Sequence, residues 1–301
     1  MKVLQSEYKL CLSCMEKHRV DLVTVVEQNI FKGEKVDFTA VYEYCSNADT
    51  FSETEDMIRA NDLALKDEYR KKTGLLTSEE IRSIREIYGI SQKDLATVLD
   101  WGPATITRYE NHQVQDTAHD DVLRTISSNP KWFLGKLENK EDCLPSKAYT
   151  KYRHKAKEQY SKQRNQYLRD AIYAIYANFE DESITGGVGL NLDKVIEAIN
   201  YFAAKVINLY KVKLMKMLWY ADALNYKRHG KAITGLVYSA LPMGAVPEGY
   251  DQIVLLDGVN FDVVLYDDIA YRFKPAPYFT VRHLSGQEIE ILDKVILELG
   301  D

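Results

Sequence analysis

A chain of 301 residues can hold two or three domains and bury an ample apolar core. No apolar run reaches the roughly 18–20 residues of a membrane helix, and Met1-Lys2-Val3-Leu4-Gln5-Ser6-Glu7 lacks a secretory stretch, so neither class is expected. The net charge of −6 argues against bulk attraction to nucleic acid, but residues 1–70 are acidic whereas 151–169 carry Lys151, Arg153, Lys155, Lys157, Lys162, Arg164 and Arg169 against Glu158 alone.

Residues 1–50 read as a small β unit. The Val- and Thr-rich stretch 22–30 and the partly alternating Val36-Asp37-Phe38-Thr39-Ala40-Val41-Tyr42 flank a turn at Lys32-Gly33-Glu34. The unit holds Cys11-Leu12-Ser13-Cys14 and, far along, Cys45, thiols spaced as in a structural zinc site. A full zinc ribbon would place a further cysteine at position 48, where Ala48 stands. Two readings follow. Cys11, Cys14 and Cys45 bind zinc with an outside ligand such as Asp49, His18 or water, or the knuckle has lost its metal and rests on β pairing. Nothing nearby suggests a catalytic zinc. Four cysteines without a leader argue against a disulfide framework and lead us to expect a reducing, cytoplasmic setting. Residues 53–72 are charged and helical in composition and complete a first domain, 1–72, as a linking helix.

Residues 73–139 form the second domain. Thr77 or Ser78 with Glu80 makes a capping box ahead of Ile81, Ile84 and Ile87. Gly89 ends that helix and Ser91 caps the next, with Asp94 in its first turn. Gln92, Ala96 and Ile106 take the positions a helix-turn-helix reserves for a helix-start glutamine, a small residue and a buried β-branched residue. Asp100 replaces the usual turn glycine, and aspartate tolerates a left-handed backbone. Pro103 is expected in the first turn of the third helix, 103–111, where its missing N–H costs nothing. That helix would enter a DNA major groove. Arg108 suits bidentate contact with guanine, Thr105 and Thr107 suit bases or phosphates, and Gln92 beside Ser91 suits a phosphate anchor. Such trihelical units also serve as packing or dimerisation domains. Residues 120–137 supply one or two more helices broken at Asn129-Pro130, and His119-Asp120-Asp121 reads as a polar helix start, not a metal site.

Residues 140–189 are expected to be a linker, 140–152 with Pro145, and a basic, Tyr-rich helix over about 150–179. The basic run suits either a DNA backbone or a solvated helix face, and the solvated face is the ordinary case. Gly186-Gly187-Val188-Gly189 reads as a turn. From Asn191 a last domain, 190–301, begins. Val195, Ile196, Ile199, Phe202, Ala203, Val206 and Ile207 repeat at helical spacing, as do Leu214, Met217, Leu218 and Ala221. Trp219 and Tyr220 flank the second stripe, as core or as an exposed aromatic patch of the kind that marks interfaces. Strands are expected at Ile253-Val254-Leu255-Leu256 and Phe261-Asp262-Val263-Val264-Leu265, and a capped helix from Ser285, with Glu288, to Leu299. The fold class is α+β: a zinc-ribbon-like β unit, a helix-turn-helix domain and a mainly helical C-terminal domain with a small β element. No His-Glu-x-x-His, P-loop or Gly-x-Ser-x-Gly elbow occurs, so no enzyme is expected.

Two resemblances build on these residues. Arg85, Gly89, Ser91, Gln92, Ala96, Leu99 and Arg108-Tyr109-Glu110, preceded by Cys11, Cys14 and Cys45, resemble MqsA/YgiT-type antitoxins, with Ala48 a departure from that family's fourth cysteine. The likeness adds Tyr109 to the implied DNA-binding residues. Residues 213–222, His229-Gly230 and the loop 238–247, followed by Leu284-Ser285-Gly286-Gln287-Glu288, resemble the Panacea, or SocA-like, antitoxin domain. Relatives of that domain commonly run past Gly300-Asp301, which implies a further terminal segment. Together the resemblances imply an antitoxin that neutralises a cognate toxin protein through Trp219, Tyr220, Asp222, His229 and Met243. They also imply a chain that represses its own operon by binding operator double-stranded DNA as a homodimer. A ligand-responsive repressor and an adaptor that delivers a bound toxin to a protease are the alternatives.

Overall fold

The computed structural model describes residues 1–179, 183–242, 244–265 and 269–300. The chain divides into two compact units, Met1–Tyr160 and Ser161–Asp301.

The first unit opens with an antiparallel sheet of β1 (Lys2–Leu10), β2 (Lys17–Phe31), β3 (Glu34–Cys45) and β4 (Thr50–Ser52), paired in that order. Phe31 pairs with Glu34, so the hairpin closes through Lys32-Gly33, both at positive φ, the two-residue geometry that matches strand twist. Helix α1 (Glu55–Thr73) packs on β3. Buried Asn61 clasps the two, accepting from the Val41 amide at 2.8 Å and donating to the Val41 carbonyl at 2.9 Å. Thr54 caps α1 and left-handed Gly74 ends it.

Five helices follow: α2 (Ser78–Ile87), α3 (Gln92–Val98), α4 (Thr105–Asn111), α5 (Thr117–Ser128) and α6 (Pro130–Glu138). Their shared core holds Ile81, Ile84, Tyr88, Leu95, Ile106, Leu123, Ile126 and Phe133. The expected linking helix α1 is fastened to this core. The Arg70 guanidinium, fully buried, pairs with Asp67 at 2.6 Å and donates to Gln115 and to the Tyr109 and Gln113 carbonyls.

This unit departs from the sequence expectation at two places. Pro103 lies before α4, not in its first turn. The Thr105 amide bonds the Gly102 carbonyl at 2.9 Å, so Pro103 occupies a turn corner, and the helical ladder starts from the Ala104 carbonyl. Residues 140–152 are not a linker. After a short 3-10 turn (Glu141–Cys143), α7 (Ser146–Tyr176) begins, and its Tyr149, Tyr152 and Ala156 join the core above. Pro145, expected within that linker, immediately precedes the helix and gives its carbonyl to the Tyr149 amide.

In the second unit, the later part of α7 contributes Ile172 and Tyr176 to a core with α8 (Leu192–Lys205), α9 (Lys211–His229) and α11 (Gly286–Leu299). Phe202, Leu214, Met217 and Leu292 are fully buried there. Two hairpins flank the helices, β5 (Tyr238–Leu241) with β6 (Gly244–Pro247) and β7 (Asn260–Leu265) with β8 (Ile269–Lys274). The expected strand at 253–256 is instead the end of a short helix, α10 (Tyr250–Ile253), and a turn. Ile253, Val254 and Leu256 are all buried, and an apolar run without alternation fits a buried helix as well as a strand. Gly235 has a positive φ and sits where an added Cβ would lie 2.5 Å from the Gly189 carbonyl oxygen, so no larger residue fits. Ser285 and Glu288 form the expected capping box of α11. Among the described residues, no helix is long and apolar enough to cross a membrane.

Candidate functional site

The helix-turn-helix is built as its caps foretell. Thr77 and Glu80 form a full capping box on α2, and Ser91 caps α3 through the Asp94 amide at 3.1 Å. Asp100 turns the chain at φ 58, the left-handed conformation expected of it. A part-buried network centred on Glu110 then joins the three helices. The Glu110 carboxylate, 1% exposed, accepts from Arg85 at 2.7 and 3.2 Å and from the Gln92 amide at 2.7 Å. Gln92 in turn accepts from the Thr107 hydroxyl at 2.8 Å, and Arg85 reaches the Ile90 carbonyl at 3.0 Å. The hydrogen bond to Glu110 raises the Arg85 pKa above its ordinary range, against the effect of burial.

This wiring sorts the expected DNA-binding residues. Gln92 and Thr107 are tied to each other and to Glu110. Tyr109 is in the core, with its hydroxyl 2.6 Å from His119 Nδ1, and burial raises its pKa. Ser91 and Arg108 are exposed and Thr105 half-buried. Among the described residues no side-chain hydrogen bond or ion pair holds Arg108, so α4 presents one free guanidinium. Lys93, exposed in the first turn of α3 and equally unpaired, joins it; only the folded surface singles this lysine out. Asp120, read as part of a polar helix start, is a buried hub. It accepts from the Leu76 amide and Gln115 at 2.8 Å and from Arg124 at 2.7 Å. Burial pushes its carboxyl up, but these donors outweigh it and hold the pKa below the usual range.

At the other end of the same unit the sheet gathers a second cluster. Cys11 follows β1, Cys14 lies in the turn after it, His18 is on β2 and Cys45 ends β3. Their ligand atoms all lie within 4.8 Å of one another, with Cys45 Sγ 3.5 Å from His18 Nε2. Tetrahedral zinc with thiolate bonds of about 2.3 Å sets its ligands about 3.8 Å apart, so three thiols and an imidazole at this spacing fit the ion. Of the outside ligands considered, the fold brings in His18; Asp49 accepts from the Tyr44 hydroxyl at 2.6 Å instead. The Cys14 backbone amide, countered by burial and helped by His18, lowers the Cys11 thiol to about 6. Burial and its neighbouring thiols raise Cys14.

In the second unit, Asp222 is buried on α9 and accepts from the Ile233 and Thr234 amides at 2.8 and 2.9 Å, the Thr234 hydroxyl at 2.5 Å and the Tyr238 hydroxyl at 2.7 Å. Burial pushes its carboxyl up, and those hydroxyl and amide donors oppose the shift. Asp222 thus pins the loop after α9 to the helix. His229 is exposed in the last turn of α9, before left-handed Gly230. Trp219 is 45% exposed and Tyr220 half-buried, its hydroxyl bonded to Glu298. Both line an apolar cavity of about 570 Å³ with Lys216, Gly244, Ala245 and Leu299. The fifth residue expected to meet a partner, Met243, lies outside the described residues.

Comparison with known proteins names two of these regions. Residues 81–117 match the model of a helix-turn-helix, and residues 214–301 match that of the antitoxin SocA-like Panacea domain. No curated protein and no solved structure matches the chain. The chain therefore carries a helix-turn-helix and a SocA-like Panacea antitoxin domain, preceded by a Cys/His cluster that fits a zinc-finger-like unit.

Proposed function

We propose that this chain is the antitoxin of a toxin–antitoxin pair, acting in the cytoplasm by stoichiometric binding and not by catalysis. The observation that carries the reading is the union in one chain of a helix-turn-helix with Arg108 free on its third helix and a SocA-like Panacea domain. The C-terminal domain binds the toxin and occludes its working surface or holds it inactive. The helix-turn-helix represses the chain's own operon. In that role α4 enters the major groove, Arg108 meets a guanine edge, and Lys93 with the start of α3 meets phosphate. A homodimer would set two such helices about 34 Å apart, one turn of DNA.

Cys11, Cys14, His18 and Cys45 would hold a structural zinc, which neutralises the crowded thiolates and ties the ends of β1, β2 and β3 together. No step of toxin or DNA binding passes through it. The apolar cavity beside Trp219 supports a second reading, a repressor that senses a small apolar molecule.

Expression of the neighbouring reading frame, alone and together with this chain, tests the proposal. Growth arrest relieved by co-expression is expected. A harmless neighbour, with operator affinity that changes on adding a small molecule, would replace the antitoxin reading with the sensor.

A further inference from the structure

Helix α9 is buried on most of its circumference, and its outward strip is unusual in being largely apolar. Val212, Trp219 and Tyr226 are 45%, 45% and 51% exposed, and Lys216 and the half-buried Ala223 fall between them. Positions 212, 216, 219, 223 and 226 step by four, three, four and three residues. That alternation is the seam of a heptad repeat, the pattern one helix shows to another lying alongside. A strip facing only water has no reason to place Val, Trp, Ala and Tyr at those steps.

The surroundings suit a helix as well. Trp219 stands between two cavities. One is the apolar cavity of about 570 Å³, and the other, of about 240 Å³, is lined by Ile184, Ala223, Tyr226, Leu236 and Tyr238. A partner helix lying on the strip would straddle the indole and place one side chain in each hollow. The charge around the strip is one-sided. Lys216 within the seam and Lys227 beside it are exposed, and among the described residues neither has a side-chain hydrogen bond or ion pair. The acids lining the cavities are already engaged. Glu298 is bonded by Tyr220 and paired with Lys294 at 3.7 Å, and Asp222 is used by the loop it pins.

We infer that the seam of α9 receives an amphipathic helix of the toxin, with small or apolar residues on its contact face and carboxylates opposite Lys216 and Lys227. This rests on the antitoxin reading and names its mode of binding. From Val212 to Tyr226 the strip is about 21 Å long, so the bound helix has about four turns. The recognition is a helix laid in a groove, read by heptad anchors and steered by charge.

The probe is the protein encoded beside this gene, co-expressed with the full chain carrying a photo-crosslinking phenylalanine at Ala223 or, as control, at fully exposed Tyr278. Crosslinks from position 223 into one acidic, heptad-patterned segment of the partner, and none from 278, are expected. Lys216→Glu, at an exposed position that leaves the fold intact, should weaken the complex on the order of 30-fold. Reversing the facing carboxylate to lysine should restore it. A complex that forms undiminished with Lys216→Glu and Ala223→Arg, crosslinking elsewhere, overturns the seam and leaves the antitoxin reading in place. Absence of any complex, with no relief of toxicity, removes that reading and the seam with it.

Discussion

Helices α4 and α9 both turn a face outward, and they divide their residues in opposite ways. On α4, Thr107, Tyr109 and Glu110 point into the protein, and Arg108 is the cation left outside. On α9 Asp222, bonded by Ile233, Thr234 and Tyr238, is inside, and the outside carries Trp219 and Tyr226. The first arrangement suits a polyanion, where a rigid frame positions a single charge against a patterned groove. The second suits a protein surface, where apolar area and a few steering lysines supply the contact. Comparing the two shows that a surface helix is best read by what its fold leaves outside, not by its polar content.

The largest expected effect lies outside both helices and bounds the comparison. Stripping metal with a chelator should abolish amide protection where Cys11, Cys14, His18 and Cys45 meet, since isolated zinc fingers draw on the order of 10 kcal/mol from the ion. Protection in α9 should be unchanged, and metal analysis should find one zinc per chain. An untouched exchange pattern with no metal would mean that β pairing alone holds the unit. The next effect contrasts the helices directly. Glu110→Ala removes the buried carboxylate that half-buried Arg85 and Gln92 bond and should cost about 2–3 kcal/mol of stability. Trp219→Ala, at a half-exposed position, should cost about 1 kcal/mol or less. Urea denaturation of the two variants measures both, and equal losses would erase the contrast between a wired helix and an outward-facing one.

How much of this was legible beforehand follows from locality. The Thr77–Glu80 and Ser285–Glu288 capping boxes, the Ser91 cap and left-handed Asp100 depend on neighbours within a few residues, and all were visible in the sequence. The inward turn of Gln92 and Thr107 depends on Glu110 and Arg85 meeting across three helices, which no spacing announces. His18 stood in the sequence as one of several outside ligands; the antiparallel pairing of β1, β2 and β3 is what sets it beside Cys45. Arg70 looked like one more charge on a linking helix, because its burial needs the carbonyls of Tyr109 and Gln113. The apolar run at 253–256 misled for a different reason: fully buried helix and strand share one composition. In α9 the stripe of Leu214, Met217, Leu218 and Ala221 located the core correctly, and the seam on its other side needed the exposed positions to be known.

The central claim is that DNA and toxin are bound by separate faces of one chain. It is tested most directly by measuring operator affinity and relief of toxicity side by side in Arg108→Ala and Trp219→Glu. The account predicts a crossed result. Arg108→Ala should lose about 1–3 kcal/mol of operator binding and neutralise normally, whereas Trp219→Glu should bind the operator normally and fail to neutralise. Loss of both activities in either correctly folded variant would contradict it.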